Sequence, residues 1–309
     1  MTVRKLSMAK ARPRLPEWFR TRLPTGELQK KFNETKSTVT DNMLHIVCQE
    51  ARCPNIHECW AAKDATFMVA GQECTRGCRF CAVGTIKRPP PLDEDEPGNL
   101  AHAISTMGLN HAVITVVNRD DLPDSGASHY RKCIEAVRAT SPEVTLELLC
   151  SDLAGDHQAL AQLLVGLDLE VFAHNVECVP RLDSIVRDSR ASFEQSIGIL
   201  VEAKRLRPDI LTKSSLMVGL GETDDEIIAA LHLLRTAKVD LVPIGQYLAP
   251  SPNHLAVDRF PEPSQYDEWS VEIENMGFLG WACGPLVRSS YRAGDLLAKA
   301  TARLRTDKE

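Results

Sequence analysis

Three cysteines fall within eight residues, Cys74-Thr-Arg-Gly-Cys78-Arg-Phe-Cys81. Thiolates at C-x3-C-x2-C, with Gly77 easing the turn, can bind three irons of a cubane, whereas a [4Fe–4S] cluster closed by protein takes four cysteines. Three ligands leave one iron open to a substrate or cofactor, just as catalytic metal sites keep a position that structural sites fill. Zinc sites usually pair C-x2-C units or add histidine, and neither is local here. A second triplet precedes the first: Cys48-Gln-Glu-Ala-Arg-Cys53-Pro-Asn-Ile-His-Glu-Cys59 reads C-x4-C-x5-C, a spacing that alone fits zinc as well as iron. Six of the ten cysteines therefore lie in the 34 residues from Cys48 to Cys81. Cys133, Cys150, Cys178 and Cys283 stand singly and read as buried apolar thiols.

The elements that must position these thiols alternate along the chain. Apolar, β-rich runs occur at Thr66–Ala70, His111–Val117, Val144–Leu149, Leu169–Ala173, Leu211–Val218 and Leu241–Tyr247, with helical windows near 97–108, 126–139, 156–167, 192–206 and 223–236. Ser192-Phe-Glu-Gln195 and Thr223-Asp-Asp-Glu226 both fit the capping box, in which a hydroxyl and a Gln or Glu satisfy each other's backbone donors. Strands separated by helices imply right-handed βαβ units and a parallel sheet. Six strands over residues 66–247 are too few for a complete eight-unit barrel of ~250 residues, so a partial barrel or an open doubly wound sheet is expected. Cys74 then sits just after the first strand, at the end of the sheet where such folds place chemistry. Residues 1–65 read as a polar extension wrapped on the body, with a short helix around 41–50.

The composition, 43% hydrophobic and 25% charged, is that of a soluble globular protein. No apolar run approaches the ~18 residues of a membrane span. Charge is unevenly spread: residues 1–40 hold ten Lys/Arg against three Asp/Glu, which leaves −13 on the remainder of a chain with net charge −6. That basic arm suits an acidic partner or a solvated terminus equally. With aromatics at 5% and no basic stripe continuing into the body, nucleic acid is not an expected partner. The first residues lack the apolar core of a secretory signal, and Pro13, Pro16 and Pro24 interrupt the amphipathic helix a transit peptide requires. The expected compartment is the cytoplasm, where clustered cysteines bind metal or react more often than they pair.

Taken together, the triplets resemble those of the lipoyl synthases, members of the radical S-adenosylmethionine superfamily, with Phe80 as the aromatic before the last cysteine. The segments VCQEARCPNIHECW (47–60), VITVVNRDDL (113–122), FAHNVECVPR (172–181), TKSSLMVGLGET (212–223), GQYLAPSPNHLAV (245–257) and CGPLVRSSY (283–291) extend the resemblance over roughly residues 15–295. It implies an α/β fold: a partial (β/α)6 TIM-type barrel over residues 66–260. Residues 1–65 and 261–309 would be N-terminal and C-terminal extensions carrying an auxiliary cluster and its Arg288-Ser289-Ser290-Tyr291 motif. It implies two [4Fe–4S] clusters and S-adenosylmethionine. Cys74, Cys78 and Cys81 would hold the cluster that binds S-adenosylmethionine. Cys48, Cys53, Cys59 and Ser290 would hold the auxiliary, sacrificial one, Ser290 acting as a catalytic ligand that is easily lost. For an isolated Ser–Ser pair the plainer reading is a helix cap.

The implied reaction inserts sulfur at C6 and C8 of an octanoyl chain linked to a lysine of a carrier protein. No side-chain base in the tunable range deprotonates such carbons, so hydrogen-atom abstraction by a carbon radical is the feasible route. The implied partners are octanoylated carrier domains, a low-potential electron donor and iron–sulfur assembly or repair proteins.

For the S-adenosylmethionine contacts, the Gly219-Leu-Gly221-Glu222 turn resembles an adenine-side glycine motif, against an ordinary strand–helix turn. Asn175 reads as a ribose ligand or a turn asparagine, and Arg187 and Lys213 as partners of the methionine carboxylate or as solvated bases. His45 and His174 read as structural. Asp124-Ser-Gly126-Ala127 and Glu147-Leu-Leu-Cys150-Ser-Asp152 depart from the family pattern and leave acceptor preference open. The alternatives are another two-cluster radical enzyme that inserts sulfur, or a non-catalytic iron–sulfur or zinc protein. Iron and labile-sulfide analysis separates the last from the others.

Overall fold

Every apolar run singled out above forms a strand, and all lie parallel. The computed structural model describes residues 14–20, 25–41 and 53–306. Cys48, His45 and the helix expected around 41–50 fall outside the described residues, as do Arg4, Lys5, Lys10, Arg12 and Arg22 of the basic arm.

Among the described residues two α-helices precede the sheet, α1 (Gly26–Asp41) and α2 (Ile56–Ala61). Strands β1 (Asp64–Val69), β2 (Glu73–Cys74) and β3 (Gly84–Thr85) follow. The chain continues through α3 (Glu96–Met107), β4 (His111–Val116), α4 (Ala127–Thr140), β5 (Thr145–Leu149), α5 (His157–Leu164) and β6 (Val171–Ala173). Next come α6 (Asp183–Val186), α7 (Phe193–Leu206), β7 (Leu211–Lys213), β8 (Leu216–Val218), α8 (Asp224–Thr236) and β9 (Leu241–Gln246). The last elements are α9 (Pro263–Asn275), β10 (Gly280–Gly284) and α10 (Ala293–Thr306).

The main sheet runs β1-β4-β5-β6-β7-β9-β10, with β8 also paired to β9. Because β7 and β8 keep one register against β9 (Lys213↔Leu241, Leu216↔Ile244), they are a single strand interrupted at Ser214 and Ser215. The loop after β6 causes the break. Val176 N donates to Ser214 Oγ and Glu177 N to Ser215 O, both at 3.1 Å, so polar groups at the break serve that loop. The strand β10 was not legible as one. Its Gly-Trp-Ala-Cys-Gly sequence has no β-rich run, yet it pairs in parallel with β9 and brings the C-terminal extension into the sheet.

The helix α10 closes the floor and explains the curl. Leu296, Leu297 and Ala300 pack on Val171, Leu211 and Leu241, residues at the starts of three strands. Gly294 N donates to Asp64 on the edge strand β1, while Leu296 lies against Gly280 on the opposite edge strand β10. Both sheet edges therefore meet one helix, giving an open half-barrel with apolar residues sealed beneath it. Outside, α3 buries Leu100, Ile104 and Met107 at helical spacing, each side chain contributing roughly 1.5–3 kcal/mol by leaving water.

The two expected capping boxes resolve differently. At α8, Thr223 Oγ1 accepts from Glu226 N while Glu226 accepts from Thr223 N, a complete box. At α7, Ser192 Oγ accepts from Gln195 N, but the box is left half-made, and the Gln195 side-chain amide N–H donates to Asp152 at 2.7 Å. A charged acceptor makes the stronger hydrogen bond, and it draws Gln195 into the site.

Candidate active site

The loop from Cys74 to Cys81 begins in β2 and is pinned from three sides. Ile86 N donates to Cys74 O at 3.0 Å beside the β2–β3 pair. Thr75 Oγ1 donates to Asp120 at 2.6 Å. The buried Arg76 guanidinium donates to Asp120 at 2.6 Å and to Asp152 at 2.6 Å, reaching the segments after β4 and β5. Gly77 N donates to Asp188 at 2.8 Å, and Asp188 is held in turn by Arg190. Burial alone would raise both Asp120 and Asp152, but the Arg76 hydrogen bonds and charge keep both below the usual carboxylate range. So the residues between the cysteines are tethers.

Arg76→Ala should therefore leave two carboxylates short of a cation. Arg190 and Gln195 still serve them, so we expect a stability loss of about 3 kcal/mol. Iron bound after anaerobic reconstitution should fall by roughly half, since one of two cubanes loses its frame. Retention of full iron by this variant would show that the tethers are dispensable.

Cys74, Cys78 and Cys81 line a cavity of about 300 Å³ together with Phe80, Asn175 and Arg187. Burial raises the Cys78 thiol and pushes Cys81 up to about 11, with backbone N–H donors pulling the other way, so metal binding there must release protons. Asn175 Oδ1 is buried with no hydrogen-bond partner among the described residues. Such an acceptor calls for a donor from a ligand. Arg187 lies in the wall but is engaged, donating to Ser196 Oγ at 2.9 Å and Val176 O at 3.3 Å.

The other four residues expected near S-adenosylmethionine do not line this cavity. Lys213 is fully buried against Glu147 inside the barrel. The Glu222 carboxylate accepts from Gly219 N at 2.7 Å and Leu220 N at 2.9 Å, closing its own turn. Gly219 is required at φ +91°, where a Cβ would lie 2.1 Å from Gln246 and 2.5 Å from Arg259 O. In this structure the motif closes a strand–helix turn and does not line that cavity. His174, which does line the cavity, is held between Cys150 O and Ser196 Oγ. Cys133, Cys150 and Cys178 are buried as expected, whereas Cys283 is only half-buried.

Sequence reasoning passed over Glu177. It follows Asn175 by two residues, adopts a left-handed φ of +68°, and lines the same cavity. Burial raises its carboxyl, with Arg187's charge and an Asn175 hydrogen bond opposing. The signal available was a lone acid in the strand-end segment Asn175-Val-Glu177, a type seldom buried without a task.

A second pocket gathers Cys53, Cys59, Arg288 and Ser290 against Asp64 and Thr66 of β1. The helix α2 carries Cys59, and Phe32 of α1 stacks on Trp60 with centroids 5.8 Å apart. Asn55 does not cap α2 with its side chain but donates to Leu286 O at 2.6 Å, and Tyr291 OH donates to Glu58 at 2.6 Å. The N-terminal and C-terminal extensions are thereby stitched together around the pocket. Gly245 admits this arrangement, since a Cβ there would lie 1.9 Å from Val287 O. A third cavity of about 100 Å³ shares Asn175 and Glu177 with the first and Arg288 with the second, and is otherwise walled by residues such as Leu216, Met217 and Val287.

The family model for the radical SAM superfamily matches residues 68–234, and that for the N-terminal domain of lipoyl synthase matches residues 2–53. The chain is 47% identical over 294 residues to the mitochondrial lipoyl synthase of Bos taurus, covering 93% of this chain and 78% of that one. It is 46% identical over 304 residues to the mitochondrial lipoyl synthase of Homo sapiens (96% and 80%). It is 50% identical over 286 residues to the lipoyl synthase of Halorhodospira halophila (93% and 84%). The chain belongs to the lipoyl synthase family. Solved structures agree on the fold alone: a FeFe-hydrogenase maturase from Carboxydothermus hydrogenoformans has TM-score 0.58 at 14% identity, covering 89% of this chain and 68% of that one. Methylornithine synthase has TM-score 0.54 at 13% identity, covering 81% and 76%.

As a radical SAM lipoyl synthase, the chain is a sulfurtransferase that uses S-adenosylmethionine and [4Fe–4S] chemistry. The donor set fits such a cluster: three thiols converge on one cavity that also holds an amide oxygen in need of a donor. No helix among the described residues is long and apolar enough to cross a membrane.

Proposed function

We propose that this protein inserts two sulfur atoms, at C6 and C8, into an octanoyl chain borne on a carrier-protein lysine. The observation that carries the reading is the third cavity, which borders both cysteine sites and has an apolar wall suited to a hydrocarbon chain. When bound, a [4Fe–4S] cluster on Cys74, Cys78 and Cys81 would supply the electron that splits S-adenosylmethionine, and one on Cys48, Cys53, Cys59 and Ser290 would supply the sulfur. Asn175 and Glu177 fit the ribose hydroxyls, the amide oxygen accepting and the carboxylate orienting. Phe80 and Arg187 wall the same cavity. Leu216, Met217 and Val287 exclude water and hold the chain so that a short-lived radical meets its target carbon.

In this reading residues 66–260 form the radical barrel, and residues 1–65 and 261–309 together frame the auxiliary site. The carrier domain, a low-potential electron donor and iron–sulfur assembly or repair proteins are the partners. Thiolate ligands of this kind need a reducing compartment, and we place the protein in the cytoplasm.

The test is to combine anaerobically reconstituted, reduced protein with S-adenosylmethionine and an octanoyl-lysine peptide. Thiolated peptide and 5′-deoxyadenosine should appear together. Deoxyadenosine without thiolated peptide would keep the radical chemistry and reject the substrate.

A further inference from the structure

We infer that the rim around the Cys74–Cys81 loop is the docking surface for an acidic one-electron carrier protein; this rests on the radical reading above. While the three thiols line the inner cavity, Gly77 and Arg79 between them are exposed. The loop's outer face is therefore solvent, and a redox centre behind it lies close beneath the surface.

The rim has an apolar pair with cations between and beside it. Arg79 N donates to Val186 O at 2.9 Å and Arg79 Nη1 to Ile185 O at 3.2 Å, and Ile185 is 45% exposed. On the other flank, Ile86 follows β3, is bonded to Cys74 O and is 42% exposed, with Lys87 and Arg88 exposed behind it. Gly77 bridges the flanks, close to both Thr85 and Asp188.

Single exposed isoleucines need no explanation, but the charges beside these do. Arg79, Lys87 and Arg88 make no ion pair among the described residues, whereas Arg76, Arg181, Arg190, Arg205 and Arg207 all do. From Gly71 to Arg88, leaving aside the buried and paired Arg76, there are three Lys/Arg and one acid, Glu73, in a chain of net charge −6. The acidic run Asp93–Asp95 begins beyond Pro89–Pro91, which at ~3.1 Å per residue sets it ~9 Å further on. A local positive field on an otherwise acidic molecule steers an acidic partner and repels copies of itself. Two exposed isoleucines flanking the loop beside unpaired cations suit a transient electron-transfer interface, in which electrostatics sets the encounter rate. In the encounter one electron would pass from the donor's reduced iron–sulfur centre to a cluster that Cys74, Cys78 and Cys81 would hold, oxidising the donor by one electron with no bond or proton moving.

The probe is a [2Fe–2S] ferredoxin titrated into the reconstituted protein between 20 and 200 mM salt, with affinity as the first readout and the rate of ferredoxin-driven cluster reduction as the second. Wild-type binding should weaken steeply with salt. Lys87→Glu/Arg88→Glu should weaken it at least about tenfold and flatten that slope, and Ile185→Asp should weaken it at all salt concentrations. Iron content and dithionite-driven S-adenosylmethionine cleavage should not change in either variant. Unaltered ferredoxin binding in both variants would overturn the assignment. So would loss of octanoylated carrier-domain binding with ferredoxin binding intact, which would give the rim to the substrate instead. Absence of dithionite-driven cleavage in the wild type would instead reject the radical reading, and the binding data would stand apart from it.

Discussion

Ser290→Cys should keep its iron and lose sulfur transfer. Ser290 shares a pocket with Cys53 and Cys59, and its neighbours are anchored on both sides: Arg288 donates to Gln246 O at 2.9 Å and Tyr291 OH to Glu58 at 2.6 Å. A cysteine at this position therefore occupies the same place with a softer donor. Iron holds thiolate more firmly than alkoxide among other thiolates, so the exchange strengthens a ligand that the proposed chemistry needs to release. We expect about eight irons per chain, as for two four-iron cubanes. Deoxyadenosine formation should stay within about twofold, while thiolated octanoyl peptide should drop at least about 100-fold, a barrier increase near 2.7 kcal/mol. Ser290→Ala is the contrast, and should lose iron as well as sulfur transfer. If the cysteine variant transfers sulfur at the wild-type rate, Ser290 is not a ligand whose release matters.

The cysteine triplets and the strand windows were legible because both are local. Ligand spacing and β-rich runs are properties of short windows, and the loops at strand ends inherit their place from topology. What escaped was set by distant partners. Gln195 looked like half of a capping box, yet Asp152, 43 residues earlier, offers it a charged acceptor. The strand β10 is recruited by β9 rather than by its own Gly-rich sequence. Glu177 gives no periodic signal, since its position depends on a left-handed backbone and on the break between β7 and β8. Arg76, Asp120, Asp152 and Asp188 come from four separate segments and form a tether network only once the sheet has curled. Lys213 lies away from the cysteine cavity for the opposite reason. A lysine near a strand end suggests an anion-binding role, but the half-barrel supplies a carboxylate of its own.

That pairing leads to a large stability effect. Lys213 and Glu147 have side chains 0% and 1% exposed and form an ion pair within the barrel. Burial raises the Glu147 carboxyl, and Lys213's charge and hydrogen bond draw it back. His111 lies in the same interior, where burial and then Lys213's charge push it down to about 3. Lys213→Met alone leaves a buried carboxylate without a partner and should cost about 3–5 kcal/mol. For a chain of this size that is a Tm drop on the order of 10 °C. Adding Glu147→Leu removes the stranded group, and replacing a buried pair by apolar side chains is often neutral or stabilising, so the double variant should recover most of the loss. Additive losses, with the double variant losing the sum of the Lys213→Met and Glu147→Leu losses, would mean the two residues do not act as a pair. The double variant also decides where the lysine works. Because Lys213 does not line the cavity of Cys74, Cys78 and Cys81, its S-adenosylmethionine KM should match the wild type, whereas a lysine that held the methionine carboxylate would raise that KM at least about tenfold on removal.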